Sequence, residues 1–179
     1  MMRWFGSLFG RRLRRWRAGP EFRVAEDVRF AFAPRTMELR SSTFADGAPL
    51  PPGKDSPPLE WSNVPAETAM LVLVVEDVDV PFPRPLVHAL AYGIDATTDA
   101  LDAGALDGAH ATMGYNGGGH QSYIAPAPIP GHGPHRYYFT LLAVDFVPRF
   151  DQPPTKGRLL DAIAGHVIAL AEIHGTAER

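Results

Sequence analysis

Two aspartates two residues apart, Asp77 and Asp79 in EDVDVP, are the first side chains whose type and spacing could do chemistry. In an extended backbone both point to one side of a sheet. Two carboxylates that close ionise cheaply only when cations or hydrogen-bond donors surround them. Exposed loop aspartates would also account for the pair. His88 opens the next apolar run, where a lone histidine is more often a hydrogen-bonded core residue than a functional one. His135-Arg136-Tyr137 opens a third run, and alternation sends His135 and Tyr137 to one face and Arg136 to the other. Arg136 is expected to pair with a nearby carboxylate, because an unpaired buried arginine is rare. If these strand ends lie side by side, Asp77, Asp79, His88, His135 and Tyr137 converge on a shallow pocket. Its wall would be the loop 114–134, where Gly117, Gly118 and Gly119 would let backbone N–H groups approach a ligand oxygen.

Positioning such groups requires strands, and the chain supplies three runs of strand length. They are AMLVLVVEDVD, LVHALAYGI and YYFTLLAV, rich in β-branched and aromatic residues. The 18 prolines and 17 glycines are spread along the chain, which reads as turns of a β-rich fold and not as disorder. FRVAEDVRFAF suggests an early strand or a loose extended segment. From Lys156 to His174 the apolar residues Leu159, Leu160, Ile163, Val167, Leu170 and Ile173 fall on one helical face, which predicts a helix.

Residues 1–20 form a separate basic arm in this reading, and residues 21–179 one domain. The arm holds six arginines and no acid, leaving eleven basic and twenty acidic side chains in the body. An acidic body is a poor partner for nucleic acid, whose affinity comes from neutralising phosphates. Trp4, Phe5, Leu8, Phe9, Leu13 and Trp16 recur at helical spacing, so the arm reads as an amphipathic helix. It would lie on an anionic membrane, or pack its aromatic face on its own domain or a second copy. It lacks the apolar length of a membrane span. The expected location is the cytoplasm, at the membrane periphery if the arm binds lipid.

The absence of cysteine removes thiolate and cysteine-metal chemistry. Three functions fit the remaining groups. A binding module would meet a phosphate-like anion with protonated imidazole, the tyrosine hydroxyl and loop N–H groups. A metal-independent hydrolase would use Asp and His as acid–base groups, but only Ser122 stands as a weak nucleophile and no G-x-S-x-G is present. A zinc or iron site would draw on Asp77, Asp79, His88 and His135, with His120 or His132, although no H-E-x-x-H spacing supports it. The binding module is the preferred reading, with no metal and no cofactor.

Five stretches together carry a resemblance: SPPLEW, EDVDVP, VHALAYGI, GYNGGGHQSYIAPAPIPGHGPHRYYFTLLAVD and HVIALAEIHGTAER. In order and spacing, over residues 36–179, they resemble the phosphatidylethanolamine-binding proteins in their bacterial Raf-kinase-inhibitor-like branch. The resemblance implies a mainly β fold, an antiparallel β-sandwich with a C-terminal helix. It also implies a small pocket for phosphate-like groups, a possible regulatory or inhibitor role, and a homodimer. On that pattern Asp77, Asp79, Pro81, His88, Pro126, His135 and Tyr137 match the pocket positions. Four positions depart from it: Val78 replaces a proline, Ala89 a tryptophan, Ala125 a glycine and Ala177 a tyrosine.

Overall fold

The structure, a computed structural model, describes residues 2–108 and 111–179, with the side chains of residues 2–7 not described. Trp4 and Phe5 of the expected apolar face therefore lie outside the described side chains. Helix α1 spans Met2–Leu13. The strands are β1 (Glu38–Arg40), β2 (Leu59–Ser62), β3 (Met70–Asp77), β4 (Leu86–Ile94), β5 (Ala100–Leu101), β6 (Thr112–Met113), β7 (His135–Val144) and β8 (Val167–Ala177), with helix α2 (Lys156–Ala162) before the last. They form a three-stranded sheet, β1-β2-β5, and a five-stranded sheet, β6-β4-β3-β7-β8. Strand neighbours in both sheets run antiparallel. The expected antiparallel β-sandwich with a C-terminal helix is the observed fold.

Burial explains the apolar runs. One core lies between the sheets, where Leu59 and Trp61 of β2 meet Leu71, Leu73, Phe139 and Leu141 of the larger sheet. A second core covers that sheet's opposite face, where Met70, Val72, Val74 and Leu142 pack on Leu159, Leu160 and Ile163, and on Val24 and Phe30. Every residue of β3 is buried. A strand covered on both faces has no solvent side to alternate with, which is why its sequence reads as a continuous apolar run.

Two segments differ from their sequence reading. FRVAEDVRFAF forms three short 3-10 turns, Pro20–Phe22, Val24–Glu26 and Val28–Phe30, and no strand. The Asp27 carboxylate accepts from the Arg29 N–H, and Val24 donates its N–H to buried Glu76, so the segment lies as a cover over the sheet. The expected helix over 156–174 ends at Ala162, beyond which Gly165 takes φ 82°, a left-handed turn that stops a helix. Residues Val167–Ala177 then pair with β7 along its whole length. Val167, Ala169, Ala171 and Ile173 also satisfy a two-residue period, and the open edge of β7 decided between the two periods.

The arm is tied to the body at its C-terminal end. Ala18 and Gly19 donate their N–H groups to Val80 and Val78 carbonyls, both at 2.9 Å. Gly10 lies so close to the loop that a Cβ there would stand 2.2 Å from the Pro130 carbonyl oxygen. Leu8, Phe9 and Trp16 remain exposed at 50%, 61% and 66%, so this part of the apolar side of the arm does not pack on its own domain.

Candidate functional site

Antiparallel register brings the chemistry-bearing residues to one end of the larger sheet. The last residue of β3, Asp77, stands opposite Leu86 at the start of β4 and opposite Tyr137 near the start of β7. His88 reaches the same place through an irregularity in the ladder. Val75 pairs with Ala89 but Glu76 pairs with Val87, which leaves His88 as an extra residue on β4. Such a bulge re-aims a side chain, and here it turns His88 toward Tyr137, with ring centroids 5.1 Å apart and edge-to-face.

Asp77 and Asp79 do not work together. The strand ends at Asp77, the Asp77 Oδ1 accepts the Asp79 N–H at 2.9 Å, and this local turn aims the two carboxylates at different partners. Asp79, whose side chain is fully buried, takes a bidentate pair from Arg136 at 2.8 Å, the Arg136 backbone N–H at 2.8 Å, and Arg17 of the arm at 2.6 Å. Burial pushes the Asp79 carboxyl up, but the hydrogen bonds from Arg136 and Arg17 outweigh it and hold the pKa at about 2. The expected ion pair of Arg136 with a carboxylate is present, with its guanidinium half-buried.

Asp77 begins a different chain. Its Oδ2 lies 2.7 Å from His135 Nδ1, His135 Nε2 lies 2.7 Å from His132 Nδ1, and His132 Nε2 lies 2.9 Å from the Leu13 carbonyl and 3.2 Å from that of Trp16. Carbonyl oxygens only accept, so His132 Nε2 carries a hydrogen. Both nitrogens of His135 are consumed in this chain.

The cavity beside these groups has a volume of about 220 Å³. Asp77, His88, His135 and Tyr137 form its polar part, and Val80, Phe82, Leu86, Ile124 and Ile129 are among its apolar walls. His88 Nδ1 stands 2.6 Å from the Ile124 carbonyl, so it carries the ring hydrogen and leaves Nε2 bare. Burial pushes the His88 pKa below its ordinary value, against the Ile124 contact and the Asp77 charge, so the ring is neutral near pH 7. Burial, then the Asp77 charge and the nearness of the Asp77 carboxylate to the hydroxyl, pushes the Tyr137 pKa far up, so its hydroxyl keeps its hydrogen, although it makes no hydrogen bond of ordinary geometry. His88 Nε2 and the Tyr137 hydroxyl are both buried without a partner.

Of the sequence-predicted residues, Asp77, Pro81, His88, His135 and Tyr137 line this cavity. Asp79 lies outside it, in the arginine pair, and Pro126 lines a neighbouring cleft with Pro49, Leu50 and Arg179. The wall comes from the second half of the loop, Ile124 to Ile129. The glycine triplet does not reach it. Gly117 donates to Val87 and Gly118 to the Asn116 side chain, and a Cβ on Gly117 would stand 2.3 Å from Leu86 Cδ1, so these glycines let the loop close on β4. The proposed metal set does not assemble: among the described residues no group of three His, Asp or Glu side chains could hold an ion. Sequence reasoning missed Arg17 and the place of His132 in the chain to Asp77. The spacing GHGPH was the available signal for His132.

An antiparallel sandwich with a small, polar-floored cavity at one end of its larger sheet defines a small-ligand-binding scaffold. The sequence profile of phosphatidylethanolamine-binding protein matches residues 40–178, and the chain belongs to that family. It is 38% identical over 154 residues to the UPF0098 protein of Chlamydia trachomatis, covering 80% of this chain and 99% of that one. A putative lipoprotein of Mycobacterium tuberculosis is 34% identical over 155 residues, covering 82% of this chain and 74% of its own. Among solved structures, a putative phosphatidylethanolamine-binding protein homologue from Chlamydia trachomatis superposes with a TM-score of 0.75 at 37% identity, over 81% of this chain and 99% of that one. YbcL of E. coli superposes with a TM-score of 0.74 at 26% identity, over 80% and 99%. No helix among the described residues is long and apolar enough to cross a membrane.

Proposed function

We propose that the cavity binds a small phosphate-type anion or phosphorylated headgroup, and that the protein is a binding module of regulatory or inhibitor type. The observation that carries this is the pair of buried, unpartnered polar atoms on its wall, His88 Nε2 and the Tyr137 hydroxyl. Buried polar groups are nearly always hydrogen-bonded, so two orphans beside one cavity point to a ligand or water that completes them. Among the described residues the wall holds no serine, threonine or lysine, which favours binding over hydrolysis. Tyr137→Phe removes a hydroxyl that makes no hydrogen bond of ordinary geometry within the fold. It is expected to weaken inorganic phosphate about tenfold or more while leaving the urea midpoint unchanged, since a hydrogen bond to a charged group contributes about 1.5–3 kcal/mol. Equal affinity in equilibrium dialysis would remove Tyr137 from the site.

The arm supports a second part of the proposal, peripheral attachment to an anionic membrane from the cytoplasmic side. Exposed Leu8, Phe9 and Trp16 share it with exposed Arg11, Arg12 and Arg15. Trp16, Arg15 and Arg17 line a cleft with Pro81 and Phe82, and Phe82 is also a wall of the anion cavity, so arm and cavity mouth adjoin. Each arginine near an anionic surface contributes about 1 kcal/mol. Changing Arg11, Arg12 and Arg15 to glutamate spares the body contacts of Arg14 and Arg17, and is expected to abolish sedimentation with phosphatidylserine vesicles. Unchanged sedimentation would exclude the arm as a membrane element. A homodimer, implied by the resemblance, would show in the mass measured by light scattering.

A further inference from the structure

We infer that the cavity selects oxyanions that still carry a proton, inorganic phosphate and phosphomonoesters, over fully ionised ones such as sulfate and phosphodiesters. This rests on the anion-pocket reading above and narrows it. The reason is which hydrogen-bonding capacity the protein leaves unused. Asp77 Oδ1 is taken by the Asp79 N–H and Oδ2 by His135, and His135 is used at both nitrogens. His88 has spent its one hydrogen on the Ile124 carbonyl. What remains on the side chains is acceptor capacity, the His88 Nε2 lone pair and the second lone pairs of the Asp77 oxygens, and one hydroxyl, on Tyr137.

A fully ionised oxyanion offers acceptors only. Its oxygens can take the Tyr137 hydrogen, but they also set negative charge against the bare His88 Nε2 lone pair. An oxyanion with one hydroxyl satisfies both: its P–OH donates to Nε2 while a second oxygen accepts from Tyr137. The alternative is for His88 to take up a proton and donate from Nε2. Burial opposes this, as does neighbouring His135, while the Ile124 carbonyl and the Asp77 charge favour it, and Tyr137 faces the ring with its neutral edge-to-face contact. The apolar walls, Phe82, Leu86, Ile124 and Ile129 among them, limit the water that would otherwise supply the missing hydrogen. Sites built around a ligand hydroxyl reject analogues that lack it by large factors, because a buried group is then left unpaired. Phosphodiesters have no such hydroxyl, and phosphomonoesters retain one on much of the population near their second pKa of about 6.

The test is equilibrium dialysis of the full-length protein at about pH 6 with inorganic phosphate, methyl phosphate, dimethyl phosphate and sulfate. Inorganic phosphate is expected to bind at least about tenfold more tightly than dimethyl phosphate and sulfate. Methyl phosphate distinguishes the sources of the group: binding equal to phosphate assigns the cavity to monoesters as well, and weaker binding assigns it to the free ion. A preference over sulfate smaller than tenfold overturns the inference and leaves the anion pocket standing. No binding of any of the four overturns both. His88→Leu is expected to abolish the preference. If that variant does not fold, the four affinities of the unaltered protein still decide the matter.

Discussion

Changing Arg17 and Arg136 together to leucine will cost about 3–5 kcal/mol of stability, and either change alone well under half of that, because Asp79 is a buried carboxylate held by two cations. Arg136 makes the bidentate contact at 2.8 Å and Arg17 reaches the same carboxylate at 2.6 Å, so each single variant leaves one partner in place. The two guanidiniums are 37% and 30% exposed, which screens each contact in part, while the Asp79 side chain is fully buried. The double variant strands it. Urea melts of the four proteins give the cycle, and a double variant no worse than the sum of two small effects would show that water compensates Asp79. The acid limb gives an independent sign. The folded-state pKa of about 2 lies below the ordinary 3.8, so this contribution is present above about pH 4 and is lost as pH falls through about 2. It amounts to about 2 kcal/mol. The stability gap between wild type and the double variant is therefore expected to narrow as pH falls across that window.

Lys156→Met is expected to cost about 3–5 kcal/mol, through a second buried carboxylate, Glu76 of β3. Glu76 has a fully buried side chain in the middle strand of the larger sheet. It is held by Lys156 Nζ at 2.5 Å on one oxygen and by the Val24 N–H at 2.8 Å on the other. This pair pins the first turn of α2 and the cover formed by residues 20–30 to the sheet. Removing the ammonium leaves a buried charge with one neutral donor. Adding Glu76→Gln in the Lys156→Met background is expected to restore most of the loss, since a neutral amide oxygen still accepts from Val24. If Lys156→Met melts like wild type and Glu76→Gln adds nothing, the carboxylate is compensated by something other than lysine.

The site was legible in part, for reasons particular to each residue. Asp77, His135 and Tyr137 sit at the ends of runs whose apolar character marks them as strands. Two-residue alternation then gives His135 and Tyr137 one face and Arg136 the other. The same rule fails for Asp79, because the strand stops at Asp77 and the next two residues turn. It fails again for His88, because alternation counts residues and a bulge adds one. The segment after Lys156 satisfied a helical period and a strand period at once.

What the sequence determined by itself is what depends on neighbours along the chain: the strands of AMLVLVVEDVD, LVHALAYGI and YYFTLLAV, the proline- and glycine-marked turns, the basic arm on an acidic body, and the acids and histidines at the strand ends. Tertiary structure decided what depends on groups far apart in the chain. Pairing with the open edge of β7 made 167–177 a strand, since a continuous ladder outweighs local helical preference. Packing of the arm brought Arg17 to Asp79 and the carbonyls of Leu13 and Trp16 to His132, contacts that span more than sixty and more than a hundred positions. Long-range contacts of this kind, with that of His88 Nδ1 to the Ile124 carbonyl, settle which hydrogen-bonding atoms are already spent, and leave His88 Nε2 and the Tyr137 hydroxyl without a partner beside the cavity. No local pattern encodes that remainder, because it is what is left after every long-range partner has been counted.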